Sequence, residues 1–315
     1  MNCCNPTPTN EQVSTPPETE NQKRPSSIPP AAIFILGIMI GALGIYGYYN
    51  LAGLQKNYSS IDAAVENENL PSFSEDVILP VRWGDLGIQM VQGGALDAPA
   101  LEKIYDSRGG ADGEAKKMLY SDNNGNIVIN QKNAGFLLNL LWGLGLGNKN
   151  PILENGPMQD KKYGGAANFA STGGWTLARG KTMDHYSAHS FIMLTPDQQT
   201  LVEKVSQGVF RPCCSNSTFF PDCNHGMAML GLLELLASQG ASEDQMYKTA
   251  LVVNSYWFPD TYKTIAKFML KKGIAWEDVN PKEILGANFS SGPGYSQILK
   301  QVEPVKGSSG GSCGV

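Results

Sequence analysis

The side chains best suited to holding a metal or attacking a substrate crowd into one stretch of the chain. All three histidines, His185, His189 and His225, lie there, and so do Cys213, Cys214 and Cys223. The other cysteines, Cys3, Cys4 and Cys313, stand near the two ends. The pattern is H-x3-H followed by C-C-x8-C-x-H. Imidazole and thiolate are the ligand types that suit zinc and copper. On a helix, His185 and His189 would share a face and chelate one ion. The cysteine segment would close a loop around a metal, although it is not the C-x2-C spacing of common zinc fingers. The set predicted to converge is Cys213, Cys214, Cys223, His225 and at least one of His185 and His189. Neighbouring residues of an extended segment point opposite ways. Cys214 is therefore the expected ligand of the adjacent pair, with Cys213 bridging or packing.

Cys223 and His225 fall where a helix over 225–239 is expected to begin, capped by Asp222 or Asn224. Unpaired backbone N–H groups and the positive dipole end favour a thiolate at such a place. Met227 and Met229 follow, and Met183 and Met193 flank the first two histidines. Thioethers are soft ligands that favour copper(I), but at helical spacing these methionines read first as core. Two other readings of the cluster stay open. Cys223 is a nucleophile with a histidine as its base, or the cysteines are oxidised, for instance Cys213 or Cys214 with Cys223. A structural disulfide needs no histidine, which favours a metal or redox centre.

Other signals are weaker. Asp122-x-Asn124-x-Asn126 starts like a calcium loop, yet Gly125 sits at the wrong position and Asn133 replaces the closing Glu. It reads as an Asn-Gly turn. Phe169 stands where a nucleophile elbow around Ser171 needs Gly. No P-loop, no dinucleotide fingerprint and no C-x-x-C-H motif occurs in the sequence, so neither a nucleotide nor a haem is expected. The run Arg211-Pro212-Cys213-Cys214 followed by Asp222-Cys223-Asn224-His225 resembles the Cys-rich signature of PCYCGC-type bacterial lipoproteins. That family's alternating cysteine pattern and lipobox cysteine are both missing here, so the resemblance implies no residue role.

The elements that must position these side chains read as mostly helical. Two short helices broken at Gly93-Gly94 are predicted, then a short strand over 127–129 and a buried helix over 134–146. Residues 150–182 read as an irregular Gly-rich stretch. Thr195-Pro196-Asp197-Gln198 carries a Thr cap, Pro in the first turn and Gln three residues on. Ser242 and Gln245 repeat the capping box, Pro259 opens a further helix and Asn280 caps a last short one. Short connections between helices favour an antiparallel bundle over 195–286. The expected fold class is mainly α, with at most one short β hairpin or strand pair.

The N-terminal part has a different character. Residues 1–27 are polar and Pro/Ser/Thr-rich, which predicts a disordered tail. Residues 28–49 are apolar, and no charged residue occurs between Arg24 and Lys56. That length suits one transmembrane helix, with Tyr46, Tyr48 and Tyr49 at an interface. Gly37 and Gly41 match the small-residue spacing of helix self-association. Lys23 and Arg24 precede the run and acidic residues follow it, which places the N-terminus in the cytoplasm. A juxtamembrane linker over 50–75, an extracytoplasmic domain over 76–302 and a flexible tail over 303–315 complete the expected organisation.

The chain has 315 residues, a net charge of −5 and a pI near 5.3. Without a basic excess, nucleic-acid binding is disfavoured. The resulting expectation is a membrane-anchored, extracytoplasmic protein that binds copper or zinc as a sensor, chaperone or sequestering module. A thiol-dependent enzyme and an envelope interaction protein with purely structural disulfides are the alternatives.

Overall fold

The computed structural model describes residues 70–106, 113–173 and 177–305, together with Ile45, Tyr46 and Tyr48. The chain divides into two units, residues 1–64 and 65–315. Of the first, the three described residues are helical and exposed. The remainder of the apolar run over 28–49 lies outside the described residues, as do Gly37, Gly41, Cys3, Cys4 and Cys313. Among the described residues no helix is long and apolar enough to cross a membrane.

The second unit is mainly helical with one two-stranded antiparallel sheet. Strand β1 (Val77–Gly84) pairs with β2 (Asn124–Ile129). Between them come helices α1 (Leu86–Gly93), α2 (Ala98–Asp106) and α3 (Gly113–Tyr120). After β2 follow α4 (Ala134–Gly147), α5 (Pro151–Asn155) and α6 (Thr182–His185). The C-terminal half holds α7 (Pro196–Gly208), α8 (Asn224–Ser238), α9 (Glu243–Trp257) and α10 (Pro259–Lys271). The short helices α11 (Pro281–Ile284), α12 (Ala287–Ser290) and α13 (Gly292–Ile298) close the fold.

The sheet follows the period-2 rule: Leu79, Val81 and Trp83 of β1 point inward while their neighbours face out. The Asn-Gly turn expected at Asn124-Gly125 is instead the start of β2, with Asn124 opposite Gly84. Asn124 donates through Nδ2 to the carbonyls of Gly84 (2.7 Å) and Ser121 (3.0 Å), so its side chain fastens a strand end. The capping boxes at Thr195 and Ser242 are both formed, each with its glutamine side chain returning to the cap backbone.

Helix α4 is apolar on every face and buried over nearly its whole length, so it is the central rod of the core. Its closest neighbour is α8. A Cβ on Gly145 would stand 2.0 Å from the Met227 carbonyl oxygen, and one on Gly231 would stand 2.5 Å from that of Leu141. Glycine at these two positions lets the backbones touch. Met227 and Met229 are packed in this core, 0% and 1% exposed. They are core side chains, the first reading of their helical spacing.

Candidate metal centre

The segment entering α8 folds back as a small loop anchored from three directions. Phe210 forms an isolated antiparallel bridge with Ser217, and the Thr218 amide and hydroxyl both donate to the Val209 carbonyl. Asn254 of α9 donates to the Phe210 carbonyl at 3.0 Å, and the Phe210 amide donates to that of Leu285 at 2.8 Å. The amide of Gly292, first residue of α13, donates to the Cys214 carbonyl at 2.8 Å. The loop is therefore held by helices that lie far along the chain.

Within this loop the three cysteines meet. Sγ of Cys213 is 3.6 Å from that of Cys223, Cys214 is 3.7 Å from Cys223, and Cys213 is 3.9 Å from Cys214. A disulfide requires about 2.05 Å, so these are contacts between separate sulfurs. His225 brings Nδ1 to 3.9 Å from Cys213 Sγ. The ligand atoms of Cys213, Cys223 and His225 all lie within 4.8 Å of one another, and so do those of Cys214, Asp222 and Cys223. Cys214 is the expected ligand of the adjacent pair and Cys213 the one to bridge or pack; Cys213 does pack against the core, and its sulfur also lies within 4.8 Å of the ligand atoms of Cys223 and His225. Residues 212 and 213 form a turn rather than an extended strand, so the alternation of side chains does not apply.

The cap of α8 is Cys223 itself, in place of the expected Asp222 or Asn224. Its Sγ accepts from the Gly226 amide at 3.4 Å. Asp222 faces Arg211 instead. Arg211, 1% exposed, organises the whole loop. Its Nε donates to Cys223 Sγ at 3.1 Å, and its terminal nitrogens reach the carbonyls of Asn216 (2.9 Å) and Phe220 (3.0 Å). It also forms an ion pair with Asp222, whose other oxygen accepts from Asn216 Nδ2 at 2.8 Å. A Cβ on Gly226 would stand 2.5 Å from the guanidinium carbon, so α8 needs glycine there. The sequence reading missed Arg211. Its one signal was its place two residues before the cysteine pair.

These contacts set the local electrostatics. Hydrogen bonds from Cys213 and Cys214 hold the Cys223 thiol well below its ordinary range. Arg211 and His225 add to this against the opposing effect of burial. The hydrogen bond with Cys213 draws Cys214 down, but that with Cys223 and burial outweigh it and push Cys214 up to about 12. Burial opposes the charge of Arg211, yet Cys223, Cys214 and Asp222 together keep it firmly protonated. His225, 3% exposed, is clamped between Trp257 (ring centres 5.6 Å apart) and Phe258 (4.4 Å) of the α9–α10 corner.

His185 and His189 are brought together elsewhere. Helix α6 ends at His185, so the two are not neighbours on a helix face. A turn through Ser187, at φ +52°, joins them. Their partners are each other, the Arg179 carbonyl, Phe191 and the Gly93-Gly94 turn. Neither belongs to a group of three or more ligand atoms within 4.8 Å among the described residues. Searches for a matching protein family, a similar curated protein and a similar solved structure found no match.

Proposed function

We propose that this protein binds one soft transition-metal ion, zinc foremost and copper second, through Cys213, Cys214, Cys223 and His225. The observation that carries the reading is the triangle of sulfurs. Tetrahedral coordination with metal–sulfur bonds of about 2.3 Å puts sulfurs about 3.8 Å apart, and the three separations are 3.6, 3.7 and 3.9 Å. Three thiolates and one imidazole fill a tetrahedron. Such a closed set suits holding a metal rather than activating a water at an open position. A tetrahedral sulfur-rich set favours zinc, and thiolate softness keeps copper(I) next in order. The role that follows is a sequestering, delivering or sensing module, anchored by the apolar run over 28–49 with residues 75–315 outside the cytoplasm.

The second reading, a thiol-dependent enzyme with Cys223 as nucleophile, draws on one specific contact. Arg211 Nε and the Gly226 amide both point at Cys223 Sγ, as an activated thiolate requires.

Metal counting on the full chain, purified in detergent under reducing conditions, separates the two. The metal reading expects one equivalent per chain and, with cobalt(II), the intense thiolate charge-transfer and visible bands of a tetrahedral site. Cys223→Ser should abolish both. A chain that binds no stoichiometric metal yet carries one hyper-reactive thiol would overturn the metal reading in favour of the enzyme.

A further inference from the structure

The two remaining histidines have a geometry of their own. His185 Nδ1 and His189 Nε2 are 3.0 Å apart, the ring planes differ by 14°, and the ring centres are 5.3 Å apart. That centre separation is as large as two imidazoles can have across one N···N contact of this length. The rings are therefore coplanar and end to end, each nitrogen aimed directly at the other. His185 Nε2 donates to the Arg179 carbonyl at 2.8 Å, which leaves its Nδ1 carrying a lone pair. A backbone carbonyl that fixes the tautomer in this way is the usual outer-shell partner of a metal-ligating histidine. Phe191 stacks on His189 at 4.8 Å and 12°, holding its plane, and the pair lies against the side-chain-free Gly93-Gly94 turn. Both imidazoles are half-buried and reachable from solvent.

We infer that His185 and His189 form a second cation site, separate from the cysteine centre, that takes a two-coordinate monovalent soft ion such as copper(I) between the facing nitrogens. The collinear nitrogens select for this class. Zinc wants four ligands, and among the described residues no third His, Cys, Asp or Glu joins this pair within 4.8 Å. A linear d10 cation is satisfied by two. Two metal–nitrogen bonds of about 2.0–2.1 Å need the nitrogens about 4 Å apart, so the pair opens by about 1 Å along the existing axis. The proton now shared between the rings moves to His189 Nδ1, and binding releases none. The exposed thioethers of Met183 and Met193, two residues before His185 and four after His189, put further soft donors on the same segment.

The test uses the full chain in detergent, labelled with 15N-histidine, and silver(I) as the redox-stable probe. Only three histidines contribute signals, and single His→Gln variants assign them. Silver fills the thiols first. With a further equivalent, the inference expects the His185 Nδ1 and His189 Nε2 resonances to shift together and show silver–nitrogen splitting. His189→Gln should take up one silver fewer per chain. If these two resonances stay in place under excess silver, or only one of them moves, the pair is a plain hydrogen bond and the inference fails. The wild-type titration decides this even if His189→Gln does not fold. Cobalt bands at the cysteine centre, read separately, show whether the first metal reading stands.

Discussion

Glu234 lies on α8 with no exposed surface and, among the described residues, no cationic partner. Asn148 donates to one carboxyl oxygen at 3.0 Å and Asn150 to the other at 2.5 Å. Burial raises its pKa well above the ordinary carboxylate value, and the two amide hydrogen bonds only partly oppose this. The folded state therefore holds a proton that the unfolded chain gives up near pH 4.3. Its stability contribution is fully present below that pH and declines as pH rises through the folded pKa. Glu234→Gln, which cannot ionise, should make the protein less sensitive to pH. Urea unfolding of both proteins from pH 4 to 8 should show wild type losing stability relative to the variant as pH rises. A constant difference across that range would contradict the argument. The same residue ties the core to the histidine segment, because Asn148 Oδ1 accepts from the Ile192 amide and the Asn150 amide donates to Ser187 Oγ.

At the scale of elements, the contact between α4 and α8 governs the core. Backbone touches backbone at Gly145 and Gly231, so a methyl group at either has no flexible side chain to displace. Overpacking a core typically costs about 1–3 kcal/mol. Gly231→Ala should fall at or beyond the upper end of that range, because the obstacle is the α4 main chain. A denaturant melt showing less than about 1 kcal/mol lost would mean that the helices separate more easily than their packing indicates. Helix α8 also carries both Cys223, at its cap, and Glu234, nine positions after His225. A shift of this helix would disturb the cysteine cluster and the buried carboxylate together.

At the scale of the whole molecule, the proposed role rests on the apolar run over 28–49 acting as a membrane anchor with residues 75–315 on the outer side. Lys23 and Arg24 before the apolar run, with acidic residues after Lys56, favour the exterior for the large C-terminal unit. An alkaline phosphatase fused after residue 75 should be active. An inactive fusion, with a cytoplasmic reporter active at the same site, would reverse the orientation. Exterior placement exposes thiols to oxidation, and a bound metal would protect Cys213, Cys214 and Cys223 from pairing.

What the sequence determined by itself was local. Thr195, Ser242, Pro259 and Asn280 marked helix starts because caps and first-turn prolines act within three or four residues. The apolar run over 134–146 marked a buried helix because a segment that apolar is too costly to leave in water. The confinement of Cys and His to one stretch named Cys213, Cys214, Cys223 and His225 as a group, but it drew in His185 and His189 as well, and neither joins a group of three or more ligand atoms among the described residues. Tertiary structure alone decided the rest. It brought both neighbouring cysteines to one point by a turn that Asn254, Leu285 and Gly292 fasten from 44 to 78 residues away in the chain. It gave Arg211 to Cys223, seated Met227 and Met229 in the core, and set His185 and His189 against Gly93, Gly94 and Phe191. These outcomes depend on which backbones approach one another. That is settled by the packing of α4 on α8 and of the loop on α9, and no local pattern of residue types encodes it.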